Sequence, residues 1–249
     1  MRSARLTAGL GCLLLAAGPT LADDLYVSGR LERISTPGVG GGGGLEWHHA
    51  VSPRRRLKLG LSAFALPGTR WGSGAAGATL IFGPTVVAAE ASVGHSSVEG
   101  SFVHVYTGVA RPLHGPRLAG DLECHYVGGH VSRGALAKAG LTFVPRPSLT
   151  VQVGYFRSFT GSLGSRLAVA KLVSSIGPRR YLVGGSLGRS SPSVLGFIPD
   201  QRAQSLRHVF GGVVFPLVAQ GELLVLLEHY DFEVAKRSLI SLTWKVGRR

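Results

Sequence analysis

The sequence predicts an all-β protein, a closed antiparallel transmembrane β-barrel of about 14 strands, within a range of roughly 12–14. Three observations favour this fold class. Prolines recur at a nearly constant interval, apolar and polar residues alternate between the turns, and the mean hydropathy is +0.24 with only 16% charged residues. Beyond residue 22 the chain contains no run of 18 or more apolar residues that could form a transmembrane helix. A chain that is apolar on average but never continuously apolar is typical of alternating strands.

The prolines divide the chain into repeats of similar length. Successive steps are 31, 32, 31, 31 and finally 38 residues, and the positions are Pro53, Pro84, Pro116, Pro147, Pro178 and Pro216. Gly- and Ser-rich stretches such as 94–100 and 159–165 fall about halfway between prolines. Each repeat therefore predicts two strands joined by a tight proline turn and a looser Gly/Ser loop, because proline cannot donate to a β-ladder.

Alternation inside the segments predicts which side chains share a face. Val87, Ala89 and Ala91 alternate with Glu90 and Ser92, and the final segment SLISLTWKV alternates in the same way. The segments are about 10–13 residues long, whereas strands of soluble domains average roughly 5–6 residues and tilted membrane strands about 9–11. This length weighs against a soluble sandwich or a soluble barrel. Residues 165–176 and 222–230 fit less well, since apolar residues occupy both faces.

The first residues predict export. Arg2 and Arg5 precede an apolar run over 6–17 and a small-residue site at 20–22, which is the layout of a secretory signal peptide. We therefore expect a signal peptide over 1–22 and a barrel over 23–249, located in the outer membrane of a Gram-negative bacterium. The short proline-bearing turns are expected in the periplasm and the longest loop, about 189–206, outside, because outer-membrane barrels have short periplasmic turns.

Aromatic residues close to the proline turns or the C-terminal segment predict an interface girdle. By parity they fall on the apolar face, as the aromatic girdles of membrane barrels do. The girdle residues are Trp47, Phe82, Phe143, Tyr181, Phe215 and Trp244.

Polar residues on the opposite face predict a network inside the barrel. His104, Glu123 and Lys138 lie on three successive strands at similar distances from their turns, with Glu90, Tyr106 and Asp121 nearby. One interpretation is a charge-paired network that satisfies buried polar groups. The other is a constriction that selects a permeating solute.

The glycine run and the remaining histidines give weaker indications of a functional site. The glycine run at 38–47 lacks the Gly-Lys-Ser/Thr ending of a phosphate loop, so we expect a strand or loop, with a flexible linker as the alternative. His48, His49 and His95 have no second ligand cluster at metal-binding spacing and are expected at the surface or interface. The sequence predicts no cofactor and no enzyme; the rival hypothesis is a lipid-modifying barrel hydrolase that uses His95 with Ser96 or Ser97.

The signal peptide, the alternating strands, the tight turns on one side and the final segment together resemble small bacterial outer-membrane β-barrel proteins. Oligosaccharide porins of about 12 strands and barrels of exopolysaccharide systems are the nearest types in size. This chain departs from the usual terminal aromatic residue, because five residues follow Trp244. The resemblance implies membrane lipid, anionic glycolipid and the barrel-assembly machinery as partners, and it leaves no role for nucleic acid.

The expected function is a narrow pore for a polar solute, with an anion or a saccharide as candidates. The formal net charge is +14, and removal of Arg2 and Arg5 leaves +12; this basic excess predicts a preference for anionic cargo. Inward glycines are expected to leave room in the lumen, which the group around Lys138 narrows. The alternative is a barrel that conducts nothing and serves as an envelope or assembly component.

Overall fold

The computed structural model describes the chain from residue 23 to residue 247, apart from residues 36–37, 67, 98–99, 131–132, 162–163, 191–203, 218–220 and 234. The expected signal peptide and most of the expected long loop lie outside these residues. Among the residues described, no helix is long and apolar enough to cross a membrane.

Fourteen strands form one closed antiparallel barrel in which every strand pairs with its chain neighbours and β1 pairs with β14. The predicted fold class is therefore confirmed. The strands are β1 (Asp24–Ile34), β2 (Gly38–Ser52), β3 (Arg55–Leu66), β4 (Thr69–Phe82), β5 (Thr85–Ser96), β6 (Gly100–His114), β7 (Leu118–Gly128), β8 (Arg133–Arg146), β9 (Leu149–Gly161), β10 (Arg166–Ile176), β11 (Arg179–Ser190), β12 (Gln204–Pro216), β13 (Glu222–Phe232) and β14 (Lys236–Gly247).

The six prolines of the repeat all lie at one end of the barrel, which we call the short-turn end; they are Pro53, Pro84, Pro116, Pro147, Pro178 and Pro216. Gly83 and Gly177 each precede the turn proline and have φ of 57° and 58°, a backbone conformation that glycine adopts without a steric penalty. Two further prolines, Pro112 and Pro145, lie within strands, next to the register shifts at the ends of β6 and β8. Proline thus stops or distorts pairing at this end, as predicted.

The barrel places its apolar residues outside. Leu31, Leu61 and Val93 are 62%, 67% and 63% exposed, whereas the inward neighbours Glu32 and Glu90 are buried. A soluble sandwich or barrel would bury the apolar face instead, so the alternation produces an apolar belt around a polar interior. The inward and outward faces below are assigned from this alternation and from the register.

Neighbouring side chains cover several inward glycines. The expectation that inward glycines leave lumen space is therefore wrong at Gly42 and Gly108. A Cβ atom added to Gly42 would lie 2.7 Å from Phe64 Cδ2, and one added to Gly108 would lie 2.4 Å from the Tyr106 hydroxyl. The larger side chains therefore lie flat against the strand where glycine stands. The glycine-rich segment is part of β2, so the flexible-linker alternative is also wrong.

Candidate functional site

A lysine and two carboxylates form an ion cluster on the inner wall of β7 and β8. Lys138 Nζ lies 2.9 Å from Asp121 Oδ2 and 2.7 Å from Glu123 Oε1. Glu123 and Lys138 are opposite each other in the register, so the strands themselves position the pair. Gly140, opposite Asp121, leaves the space that this carboxylate occupies: a Cβ there would lie 2.5 Å from Asp121 Oδ1. One shared cation therefore compensates two carboxylates.

Two histidines and a tyrosine extend this cluster onto β6. His125 Nε2 lies 3.3 Å from Glu123 Oε2, and His104 Nε2 lies 3.3 Å from His125 Nδ1. The two imidazoles stack with ring centroids 5.5 Å apart, and the Tyr106 ring packs on His125 at 5.0 Å. The Lys138 cluster is defined as His104, Tyr106, Asp121, Glu123, His125 and Lys138.

A second ion cluster spans β2, β3 and β5. Lys58 Nζ lies 2.9 Å from Glu46 Oε2 and 2.8 Å from Glu90 Oε2. The other Glu46 oxygen lies 2.5 Å from His48 Nε2. Lys58 reaches Glu90 across β4, where Gly77 stands between them in the register and presents no side chain. The Lys58 cluster is defined as Glu46, His48, Lys58 and Glu90.

The structure brings five of the six predicted network residues together in the Lys138 cluster. Glu90 pairs instead with Lys58, although it lies opposite Tyr106 in the register. Sequence reasoning missed Glu46 and Lys58, and it expected His48 at the surface, whereas that histidine faces the lumen. Parity along β2 and β3 could have placed these residues on the inner face.

The inner wall opposite these clusters is rich in apolar side chains, although Lys171 of β10 and the His208–Glu228 pair of β12 and β13 lie among them. Leu167 and Val169 of β10 face inward, and so do Leu182 of β11 and Phe210 of β12. Leu224 and Leu226 of β13 continue this wall. This apolar arc explains why residues 165–176 and 222–230 fit the alternation poorly: both of their faces are apolar because one meets the membrane side and the other lines the lumen.

Buried side chains pack the lumen at the end opposite the short turns. Glu32 contacts Arg30 and Arg237, and Arg237 Nη2 donates a hydrogen bond to Glu32 Oε2 at 2.8 Å. Arg30 lies over the Phe64 ring and Arg237 over the Tyr230 ring, each with 5.1 Å from Cζ to the centroid. Two apolar groups flank this ion cluster: Ile34, Phe64 and Leu66 on one side, and Leu206, Tyr230, Phe232 and Leu239 on the other.

Formal charges on the inner wall balance among the strand residues described. The inward acids are Asp24, Glu32, Glu46, Glu90, Asp121, Glu123, Glu222 and Glu228. The inward bases are Arg30, Arg56, Lys58, Lys138, Lys171, Arg180, Arg237 and Lys245. Eight acids and eight bases therefore face the lumen, and the basic excess of the chain lies outside these described inward positions. Net charge alone is therefore no ground for expecting an anion-selective lumen.

The six predicted girdle residues all face outward near the short-turn end. Phe82, Phe143 and Trp244 are exposed, and Trp47 stacks on His49 with ring centroids 5.2 Å apart. The Arg179 guanidinium lies over Phe215, with Cζ 5.7 Å from the ring centroid. Tyr181 is next to Arg180, which faces inward and places Nη2 2.7 Å from Glu222 Oε2. Outward-facing Tyr126 and Phe159 lie nearer the opposite end.

His95 and Ser96 of the rival hydrolase hypothesis lie on opposite faces of β5. His95 faces outward and is exposed, whereas Ser96 faces inward and is buried. Ser97 Oγ accepts a hydrogen bond from the Arg70 backbone N–H at 3.0 Å. Within the described ranges, no group of three or more His, Cys, Asp or Glu residues is arranged to hold a metal ion.

Comparison with solved structures identifies the class of fold. The chain is similar to the CymD monoaromatic hydrocarbon channel, with a TM-score of 0.69 and 9% identity over 93% of this chain and 89% of that one. It is also similar to Omp33 of Acinetobacter baumannii (TM-score 0.59, 14% identity, 92% and 99% covered). A mutant porin of Rh. blastica gives 0.50 at 6% identity, with 91% and 99% covered. No known family model and no curated protein sequence matches the chain.

The fold is therefore that of the porin-like barrels of bacterial outer membranes, which confirms the resemblance predicted from the sequence. CymD and Omp33 share this architecture at 9% and 14% identity, so the likeness extends to the fold and leaves the subfamily open.

Proposed function

We propose that this protein is an outer-membrane channel for a small polar solute that also carries an apolar face. The observation that supports the solute class is the division of the inner wall. The Lys58 and Lys138 clusters supply paired charges on β2 to β8. The apolar arc faces them from β10 to β13, where Lys171 and the His208–Glu228 pair are interspersed with its apolar side chains. A solute of this kind would keep its hydrogen-bonding groups against the clusters and its apolar face against the arc.

Strand number is consistent with a narrow passage. Barrels of about 8 strands are filled by their own side chains, and those of about 16–18 strands enclose an aqueous channel. Fourteen strands lie between these cases, and the ion clusters narrow the lumen further. CymD is described as a channel for monoaromatic hydrocarbons, a cargo that also requires apolar wall contacts. A saccharide, with hydroxyl edges and C–H faces, fits the divided wall better than a small inorganic anion.

Solute flux tests this division of the wall. We expect proteoliposomes containing the protein to admit a phenyl glycoside faster than a purely polar disaccharide of similar size. Contact between the phenyl group and the apolar arc should stabilise the glycoside in the passage by about 1–2 kcal/mol, which corresponds to roughly 5- to 30-fold in relative entry rate. The double substitution Leu182→Asn and Leu226→Asn should remove this preference, because both side chains belong to the arc.

A matched control uses the same new side chain on the opposite wall. Thr142 faces inward from β8, is buried and accepts a hydrogen bond from Gln152 Nε2 at 3.4 Å, so Thr142→Asn should keep the preference for the phenyl glycoside. Equal entry of the two solutes through the unmodified protein would contradict the proposed solute class.

The packed lumen end favours a second candidate function. The Glu32, Arg30 and Arg237 contacts and their two apolar flanks bury side chains where a solute would enter. A barrel closed at this level would conduct nothing and would serve as an envelope component. Flux of both test solutes no faster than through protein-free liposomes, from folded protein, would favour this candidate.

A further inference from the structure

Exposed arginines line the short-turn end of the barrel from β3 to β11. Two of them directly follow Pro53, and the others lie in the later proline turns or at the strand ends beside them. All of these side chains are exposed. We call them the arginine collar: Arg54, Arg55, Arg111, Arg117, Arg146 and Arg179.

Backbone hydrogen bonds hold neighbouring turns of the collar side by side. The N–H of Val144 on β8 donates to the carbonyl oxygen of Arg117 at 2.8 Å, which joins the β6–β7 turn to the end of β8. The N–H of Ser175 on β10 donates to the carbonyl oxygen of Ser148 at 2.8 Å, which joins the β8–β9 turn to the end of β10. The arginines of these turns therefore share one continuous surface.

The acids described at the short-turn ends of the strands are each paired with a base outside the collar. The three pairs, with their N–O distances, are Asp23–His49 (2.7 Å), Asp24–Lys245 (3.0 Å) and Glu222–Arg180 (2.7 Å). Asp121, which lies further in and faces the lumen, pairs with Lys138. The collar therefore adds six formal positive charges that these acids do not balance.

Apolar side chains at the level of the collar suit a membrane surface better than an acidic soluble partner. Ile176 is the register partner of Arg179 and is 65% exposed, and Leu113, two residues from Arg111, is 59% exposed. The Arg179 guanidinium also lies over Phe215 of the girdle. In a bilayer, these apolar groups would enter the lipid chains while the guanidinium groups extend to the headgroups.

We propose that the arginine collar binds the headgroups of anionic phospholipids in the leaflet at the short-turn end. Guanidinium groups bind phosphate oxygens in a bidentate geometry. Each basic residue close to an anionic membrane surface strengthens association roughly fivefold, so anionic lipids should be enriched beside the collar over zwitterionic ones. The inference rests on the membrane setting of the proposed function but does not require an open lumen.

Fluorescence quenching by brominated phospholipids tests the collar in vesicles. Trp47 and Trp244 face outward near the short-turn end, whereas Trp71 faces inward at the opposite end and packs on Phe64. Bromine in the acyl chains therefore reports on the lipids beside the collar. In mixed vesicles, quenching should show a preference of at least about threefold for phosphatidylglycerol over phosphatidylcholine at low salt, and about 1 M salt should largely remove it.

A pair of double variants separates the collar from general surface charge. Arg54→Gln with Arg55→Gln should remove most of the preference, because these arginines belong to the hairpin that carries Trp47. Arg54→Gln alone serves as the test if the double variant does not fold. The matched control, Arg33→Gln with Arg70→Gln, changes two exposed arginines at the opposite end and should leave the preference unchanged.

A second reporter covers the remaining turns. Leu113→Trp places a tryptophan beside Arg111 and Arg117, and the added changes Arg117→Gln and Arg146→Gln should lower the preference that it reports by at least about twofold. An unchanged preference in either collar variant would overturn the proposal for the turns concerned.

The two lipids also distinguish failure of this proposal from failure of the proposed function. Equal quenching by phosphatidylglycerol and phosphatidylcholine in the unmodified protein would overturn the proposal and favour an acidic protein as the partner of the collar. Absence of quenching by either lipid, from folded protein, would overturn the membrane setting as well.

Discussion

Replacing Lys138 by methionine is expected to destabilise the barrel by about 3–5 kcal/mol, because the change leaves a buried and a half-buried carboxylate without their shared cation. Lys138 lies within 2.9 Å of both Asp121 and Glu123, and the side chains of Lys138 and Glu123 are 11% and 8% exposed. The measurement is a urea titration in lipid vesicles, followed by tryptophan fluorescence.

Two controls isolate the ion cluster. The triple variant Lys138→Met, Asp121→Asn and Glu123→Gln removes all three charges and should recover most of the lost stability. Lys245→Met breaks a pair with Asp24 at the short-turn end, where the lysine side chain is 32% exposed, and should cost only about 0–1 kcal/mol. Equal losses for the single and triple Lys138 variants would show that packing of the lysine stem, rather than charge compensation, holds this part of the wall.

Replacing Gly42 by valine is expected to cost about 1–3 kcal/mol or more, because the site is filled by neighbouring atoms. A Cβ at this position would lie 2.3 Å from the Ala63 carbonyl oxygen and 2.7 Å from the Phe64 ring. The backbone oxygen belongs to the paired strand β3 and cannot move without breaking the ladder. The loss should appear as a lower midpoint of urea unfolding and a lower temperature of heat modification on a gel.

Gly29 provides the matched control for this substitution. It lies on the neighbouring strand β1, faces outward, and a Cβ there would meet nothing within 4 Å. Gly29→Val should therefore be neutral or slightly stabilising, because valine favours strands and faces lipid. If both valine variants unfold at the same urea concentration, close packing over Gly42 is not what sets the stability of β2.

The proline spacing and the period-two alternation were sufficient to predict the barrel, its strand number and the inward position of Lys138 and Glu123. These features are local: each depends on residues within one or two strands. The contact between Lys58 and Glu90 could not be predicted in the same way, because it crosses β4 and depends on which residue stands between them. Only the register places Gly77 there.

The side-chain contacts between the first and last strands also could not be predicted from the sequence. Glu32 and Arg237 are separated by 205 residues, and their approach depends on β1 pairing with β14. The expected anion preference was drawn from net charge, which is a property of the whole chain, whereas selectivity depends on the charges that face the lumen. The lumen space beside inward glycines was overestimated, because a neighbouring side chain can occupy the space that glycine leaves. Tyr106 occupies this space at Gly108.

Planar-bilayer conductance tests the central claim, a passage through the barrel, most directly. Heat-modifiable, folded protein should produce reproducible unitary steps with little selectivity between small cations and anions, because the charges on the inner wall balance. Lys138→Glu should shift the selectivity towards cations, since the lysine belongs to the charged side of the passage. The absence of any conductance from demonstrably folded protein would contradict the passage and favour the non-conducting envelope role.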